Sequence, residues 1–120
     1  MKKMVLLFFA TLFIFTGTGA HAHMSEEAKI DYLIALVSNM PKDARFIRNG
    51  TEYGSERAAE HLRAKYQRGK KYAATAELFI ENIASTSSIT GRAYSIAFAD
   101  GRTVTAREFF REELRKLEGK

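Results

Sequence analysis

Apolar side chains recur at helical spacing in four separate segments of this chain. The four stripes are Ile30, Leu33, Ile34 and Val37; Ala58, Ala59, Leu62 and Tyr66; Ala76, Phe79, Ile80 and Ile83; and Ala106, Phe110, Leu114 and Leu117. Residues three or four positions apart lie on one face of an α-helix, so each stripe predicts an amphipathic helix with one buried face. The third helix is the predicted centre of the core.

Serine and threonine residues mark where these helices are predicted to begin. Ser25, Ser55 and Thr75 each precede a stripe, and a hydroxyl at the N-cap accepts a hydrogen bond from a free amide of the first turn. Thr105 is followed three residues later by Glu108, which is the spacing of a capping box. The four helices therefore have local start signals as well as apolar faces.

Short extended segments lie between the helices. Residues 45–48 and 51–53 flank Asn49 and Gly50, a pair that tolerates the positive φ of a tight hairpin turn. A second apolar and polar alternation runs over residues 94–98 and returns over 102–104. These segments form either two short hairpins or one composite antiparallel sheet. The predicted fold class is α+β and helix-predominant, with about four helices and a small antiparallel component.

The first 22 residues have the pattern of a cleavable signal peptide. Lys2 and Lys3 precede an apolar run over residues 4–15, and Ala20, His21 and Ala22 follow as a small-x-small cleavage site. The apolar run is shorter than the roughly 20 residues that a membrane-spanning helix needs. We therefore expect a signal peptide over residues 1–22 and a single periplasmic domain over residues 23–120, not membrane-spanning after cleavage.

Composition narrows the chemistry further. The chain has no cysteine, which excludes disulfides and thiolate metal sites, and no cofactor motif or metal-ligand spacing is found. The net charge is +5, and the basic residues crowd most densely over residues 63–71. That segment is either a solvated helix end, where cations are favoured, or a surface for an anionic polymer or lipid head groups. Nucleic acid is not an expected partner of an exported protein.

Four short sequences, FIRNG, EHLRAKY, TAELFIENIAS and SSITGRAY, occur here in order. With them the chain resembles a family of small exported proteobacterial proteins, the YfeK-like proteins, known as a domain of unknown function. The resemblance covers residues 26–114 and implies a signal peptide, one periplasmic domain and no assigned activity. It supplies no catalytic residue. Some members of the family carry cysteines, and because this chain has none, any disulfide or thiol role does not apply to it.

Nine polar residues are the candidates for a functional surface. They are Arg48, Asn49, His61, Lys70, Lys71, Ser87, Ser88, Thr90 and Arg92. One hypothesis is a non-enzymatic module that uses them to bind an envelope protein or an anionic cell-wall or lipid component. The alternative is a small envelope hydrolase in which His61 acts with a hydroxyl from residues 85–90. The sequence alone assigns no function.

Several of these residues also have a possible structural role in place of a functional one. His61 can hydrogen-bond a backbone group or hydroxyl at the edge of the core. The hydroxyls of residues 85–90 can satisfy free carbonyl groups at the end of the preceding helix. Arg48 can pair with Glu52 or Glu56 inside the protein, or it can face an acidic ligand.

Overall fold

A computed structural model describes residues 24–120, which form four helices and four strands; the predicted signal peptide and His23 lie outside the described residues. The elements are α1 (Glu26–Ser38), β1 (Arg45–Arg48), β2 (Thr51–Tyr53), α2 (Ser55–Arg68), α3 (Ala76–Phe79, continuing as a π-helix over Ile80–Ala84), β3 (Ser95–Ala97), β4 (Thr103–Thr105) and α4 (Ala106–Leu117). A short 3-10 turn, Lys70–Tyr72, joins α2 to α3. The predicted helix-predominant α+β fold is confirmed. Within residues 24–120, no helix combines the length and the apolar character that crossing a membrane requires.

The strands form one antiparallel sheet in the order β2-β1-β3-β4, so the composite sheet is the correct one of the two predicted arrangements. Phe46 lies opposite Tyr53 on one side and opposite Ile96 on the other, and Ile96 in turn lies opposite Val104. Side chains directly opposite each other share one face of a sheet, so these four form a row on its inner face. Arg48, two residues after Phe46, belongs to the same face.

The core lies between this inner face and the helices. All four predicted apolar stripes are buried except at Leu117, which is half-buried. The helix α3 contacts α1, α2 and α4, which confirms its predicted central position. Its Phe79 is fully buried and meets Tyr66 of α2 and Phe110 of α4 edge to face, with centroids 5.7 and 6.2 Å away. This aromatic cluster joins three helices at one point.

Most of the predicted helix starts are confirmed. The hydroxyls of Ser25 and Thr75 accept from backbone amides three residues later, and Thr105 with Glu108 forms the capping box. The prediction for Ser55 is wrong: it is the first residue of α2, and the N-cap is Gly54. Because Gly54 already supplies the extended residue between β2 and α2, the helix begins one position earlier than expected.

The segment after α3, residues 85–92, is named here the hydroxyl loop. Its first residue, Ser85, is buried, and its Oγ donates to the carbonyl of Ile80 at 2.5 Å. This bond satisfies a carbonyl in the π-helical part of α3, as predicted for the hydroxyls that follow this helix. The loop then returns to the sheet through Tyr94, whose amide donates to the carbonyl of Ser85.

Candidate functional site: a cationic cavity beside α2

A cavity of about 130 Å³ lies between the inner face of β1 and β2, the helix α2 and the hydroxyl loop. Its apolar and aromatic lining consists of Phe46, Tyr53, Ala58, Leu62, Ile89 and Tyr94. Its polar lining consists of Arg48, His61, Lys65, Arg68, Ser87 and Ser88. Each structural layer of the protein contributes to this cavity, and four of the nine candidate residues line it.

The charged side chains that line the cavity are all cationic. Arg48, Lys65 and Arg68 line it, no Asp or Glu does so, and no carboxylate of residues 24–120 lies within ion-pair distance of any of the three. By contrast, Arg107 and Arg111 of α4 both pair with Glu81. The cavity therefore carries positive charge that the described part of the chain does not neutralise by direct ion pairs.

Lys65 holds a defined position in this cavity. Its Nζ donates to the backbone oxygen of Thr86 at 2.7 Å and to the hydroxyl of Tyr94 at 3.1 Å. An ammonium group has three N–H donors, so one of them remains for a further acceptor. The hydroxyl of Tyr94 accepts from Lys65 and keeps its own proton to donate. These two groups can together bind an oxygen anion.

Arg48 does not make the carboxylate pair that was one of its predicted roles. The ion pairs with Glu52 and Glu56 are absent from the described residues, and the Arg48 guanidinium instead lies 5.8 Å from the ring centroid of Tyr53. The reason is the pleat of the sheet. Glu52 lies opposite Ile47 and so points to the outer face, whereas Arg48 points to the inner face and the cavity.

His61 packs edge-on against Tyr53, with ring centroids 4.9 Å apart. Its Nε2 is buried and has no hydrogen-bond partner in the described part of the chain. Burial lowers the pKa of His61, and the positive charges of Arg48 and Arg57 lower it further. These effects favour the neutral form of the ring. The predicted hydrogen bond to a backbone group or hydroxyl does not occur at Nε2.

Three other candidate residues hydrogen-bond each other. The Nδ2 of Asn49 donates to Ser87 Oγ at 3.1 Å, and the hydroxyl of Thr90 donates to Asn49 Oδ1 at 2.6 Å. We call these two bonds the turn–loop contact, because Asn49 lies in the β1–β2 turn and the hydroxyls lie in the hydroxyl loop. Ser87 Oγ also accepts from the amides of Ile89 and Thr90. The contact places the hydroxyl loop along the edge of the cavity.

The remaining candidates lie away from the cavity lining. Lys70 and Lys71 belong to the 3-10 turn; Lys70 is 3.8 Å from a carboxylate oxygen of Glu27, and the Lys71 ammonium lies 5.1 Å from the ring centroid of Tyr72. Arg92 is exposed at the end of the hydroxyl loop. The structure thus brings six of the nine candidate residues to one place and leaves these three outside it. Among residues 24–120, no three His, Asp or Glu side chains are grouped to hold a metal ion.

Eight lining residues were not in the candidate set, and four of these carry a charge or a hydroxyl: Lys65, Arg68, Tyr53 and Tyr94. The two cations follow His61 by four and seven positions, which is the spacing of one helix face. That spacing was one available signal, and the basic segment over residues 63–71, in which both cations lie, was the other. The two tyrosines belong to segments distant in sequence, and only the pairing of β1 with both β2 and β3 brings them to one cavity.

These features define a small, helix-predominant α+β protein with a cationic cavity beside its sheet. The sequence matches, over residues 20–118, a family described as "Family of unknown function (DUF5329)", and the chain belongs to that family. It is 38% identical over 94 residues to a protein of Salmonella typhimurium named "Uncharacterized protein YfeK", covering 78% of this chain and 77% of that one. The predicted family resemblance is confirmed. No solved structure matches the chain.

Proposed function

We propose that this chain is a non-enzymatic periplasmic binding module and that it holds an anionic component of the cell envelope in the cavity beside α2. The observation that carries the proposal is the presence of Arg48, Lys65 and Arg68 around one cavity with no carboxylate in its lining. Arg48 and Lys65 are partly buried, and partly buried cations attract an anion more strongly than fully hydrated ones do, because the surrounding dielectric is lower. A carboxylate or phosphate group would supply the missing negative charge.

Preorganisation of the cavity supports binding by the folded protein. Lys65 is already oriented by Thr86 and Tyr94, and the turn–loop contact already positions the hydroxyl loop. A ligand entering this cavity does not have to order these groups itself, and that lowers the entropic cost of association.

The proposed envelope location depends on the first 22 residues, whose pattern is typical of a signal peptide. An exported protein meets cell-wall polymers, lipid head groups and other envelope proteins, and acid groups occur in all three. The shared chemistry is therefore an exposed carboxylate or phosphate. Charge and hydrogen bonding, without a covalent step, account for the recognition.

The test is capture of envelope material by tagged protein of residues 23–120 from an extract of its own host, at low and high salt. The cavity variant combines Arg48→Met with Arg68→Met, and a second variant neutralises Lys70, Lys71 and Arg92 together. We expect capture to weaken at high salt and to be lost in the cavity variant. Retention of all captured material by the folded cavity variant at both salt concentrations would refute the cavity as the binding site. Loss in the second variant alone would place the site outside the cavity, on the 3-10 turn or at Arg92.

One observation favours the alternative function, a small envelope hydrolase. His61 lines the same cavity as Ser87 and Ser88, so a histidine and two hydroxyls are near one another. In the described residues, however, no hydrogen bond joins His61 to either serine, and Ser87 Oγ accepts three N–H donors. The discriminating variant is His61→Ala, screened for hydrolysis of envelope esters. Activity that disappears in this variant would replace the binding proposal, whereas retained binding without activity supports it.

A further inference from the structure

The volume of the cavity limits what the ligand's buried part can be. At about 130 Å³ it is close to the roughly 150 Å³ of an engineered protein cavity that holds benzene. A six-membered ring, or an apolar group of similar size, fills such a space. The cavity opens to solvent beside the exposed Ile89, so this volume limits only the buried part of a ligand, and a sugar chain or an acyl tail would extend beyond it.

The walls of the cavity favour a ring over an aliphatic group. Phe46 and Tyr94 form a tilted pair with centroids 5.9 Å apart, and Tyr53 meets His61 edge to face at 4.9 Å. All four rings line the cavity, so an enclosed ring has aromatic neighbours on the sheet and on α2. Edge-to-face and offset contacts with such neighbours stabilise an aromatic ligand beyond simple burial.

The cations lie around the same small space. Arg48 makes only a long contact to the Tyr53 hydroxyl at 3.5 Å, and Lys65 keeps one free N–H. A single acid group on the enclosed ring is therefore within the same cavity as both cations. A neutral aromatic compound would leave these cations without an anion, and a bare anion would leave the aromatic walls without a partner.

We infer that the cavity binds an aromatic acid, a single ring that carries one carboxylate or phosphate group. This inference rests on the proposed function and specifies its ligand. The ring occupies the space between Phe46, Tyr53, His61 and Tyr94, and the acid group is bound by Arg48 and Lys65. An exposed phenolic or benzoic acid group of a larger envelope molecule has the same chemistry as a free aromatic acid.

The first experiment is an NMR titration of the wild-type protein of residues 23–120 with five probes. Benzoate and phenyl phosphate carry both the ring and the charge, acetate and inorganic phosphate carry only the charge, and benzyl alcohol carries only the ring. We expect benzoate or phenyl phosphate to bind at least about tenfold more tightly than each probe that lacks one feature. Chemical shift changes should centre on the rings of Tyr53, His61 and Tyr94.

Two variants locate the site, and the first has a matched control. Arg48→Met should weaken benzoate binding about tenfold, whereas Arg63→Met, which removes the same charge from an exposed position on α2 that does not line the cavity, should change it less than about twofold. Ala58→Leu places a larger side chain in the cavity and should block the ring while all the cations remain. Arg48 makes only one long hydrogen bond, so Arg48→Met should fold normally. The site can therefore still be tested if Ala58→Leu does not fold.

The outcomes separate this inference from the broader proposal. Acetate or inorganic phosphate binding as tightly as benzoate would overturn the aromatic specificity and leave the anionic cavity intact. Absence of binding by all five probes, with capture of envelope material still dependent on Arg48 and Arg68, would overturn the inference alone. If that capture is independent of Arg48 and Arg68 as well, both proposals fail.

Discussion

The turn–loop contact can be tested by replacing Asn49, which has two separate structural roles. Its backbone has a φ of 53°, in the left-handed region that asparagine and glycine tolerate. Its side chain bonds Ser87 and Thr90, which lie 38 and 41 residues further along the chain. Asn49→Gly removes only the side-chain bonds, whereas Asn49→Ala removes the bonds and also places a Cβ-bearing aliphatic residue at positive φ.

The magnitudes follow from these two roles. A side-chain hydrogen bond contributes about 0.5–1.5 kcal/mol net. The bond of Asn49 to Ser87 is partly buried and the bond from Thr90 is exposed, so Asn49→Gly should lower the free energy of unfolding by about 1–2 kcal/mol. Glycine makes the unfolded chain more flexible, which lowers stability, but it adopts a positive φ without strain, and these two effects on stability roughly cancel. Asn49→Ala should cost about 1 kcal/mol more because of the left-handed backbone. For a domain of this size, each kcal/mol corresponds to about 4–8 °C in Tm.

Urea unfolding of the single variants and of a double-mutant cycle with Ser87→Ala measures the contact directly. We expect a coupling energy of about 0.5–1.5 kcal/mol between Asn49 and Ser87. Asn39→Gly is the control, since the Asn39 side chain makes no hydrogen bond within residues 24–120. The reasoning is refuted if the coupling is below about 0.3 kcal/mol, or if Asn49→Gly is as stable as the wild type.

Three further predictions concern the core, a histidine and an ion-pair network. Phe79→Ala should lower the free energy of unfolding by about 3–5 kcal/mol, measured in urea, and a loss below about 1.5 kcal/mol would contradict the central position of α3. The pKa of His61 is lowered in the fold, so the unfolded chain binds a proton at this residue more readily than the folded one, and the free energy of unfolding should fall as the pH drops below about 6.5. Urea unfolding at several pH values should show a weaker dependence of stability on pH for His61→Gln, and an unchanged dependence would contradict this prediction. Lys29 donates hydrogen bonds to Glu26 and Glu118. The pKa of Glu26 is lowered first by the Ala76 amide and then by Lys29, and the pKa of Glu118 is lowered mainly by Lys29, so the contribution of these carboxylates is present above about pH 4.5 and is lost in acid. The cost of Lys29→Met should therefore shrink from pH 7 to pH 3, and a constant cost would count against this network.

Among these features, the helices were the most predictable from the sequence. Their buried faces repeat with the period of the helix itself, and the capping signals at Ser25, Thr75 and Thr105 act within three residues. The β1–β2 hairpin was equally local, because Asn49 and Gly50 both have the positive φ values that such a turn requires. The prediction for Ser55 was wrong because either of two adjacent residues can precede a helix, and the local pattern does not choose between them.

The candidate site was predictable only in part. His61, Arg48 and the hydroxyl loop were named as candidates from the sequence, but nothing local indicated that they share a cavity. One of the two predicted roles of Arg48 was a pair with Glu52 or Glu56, and the alternation of the sheet places Glu52 on the opposite face. The hydroxyls were considered as ligands for an anion, and two of them turn out to bind Asn49.

Sequence alone determined the elements of this protein, their apolar faces, the absence of thiol chemistry and the family to which the chain belongs. The tertiary structure decided which polar residues come together. Inserting β3 beside β1 joins two separate hairpin segments into one sheet, and that pairing brings Tyr94 and Ser87 to the cavity formed by β1, β2 and α2. Helical and strand periodicity is encoded within a few neighbouring residues, whereas contacts between distant segments depend on how the whole core packs, which no local pattern specifies.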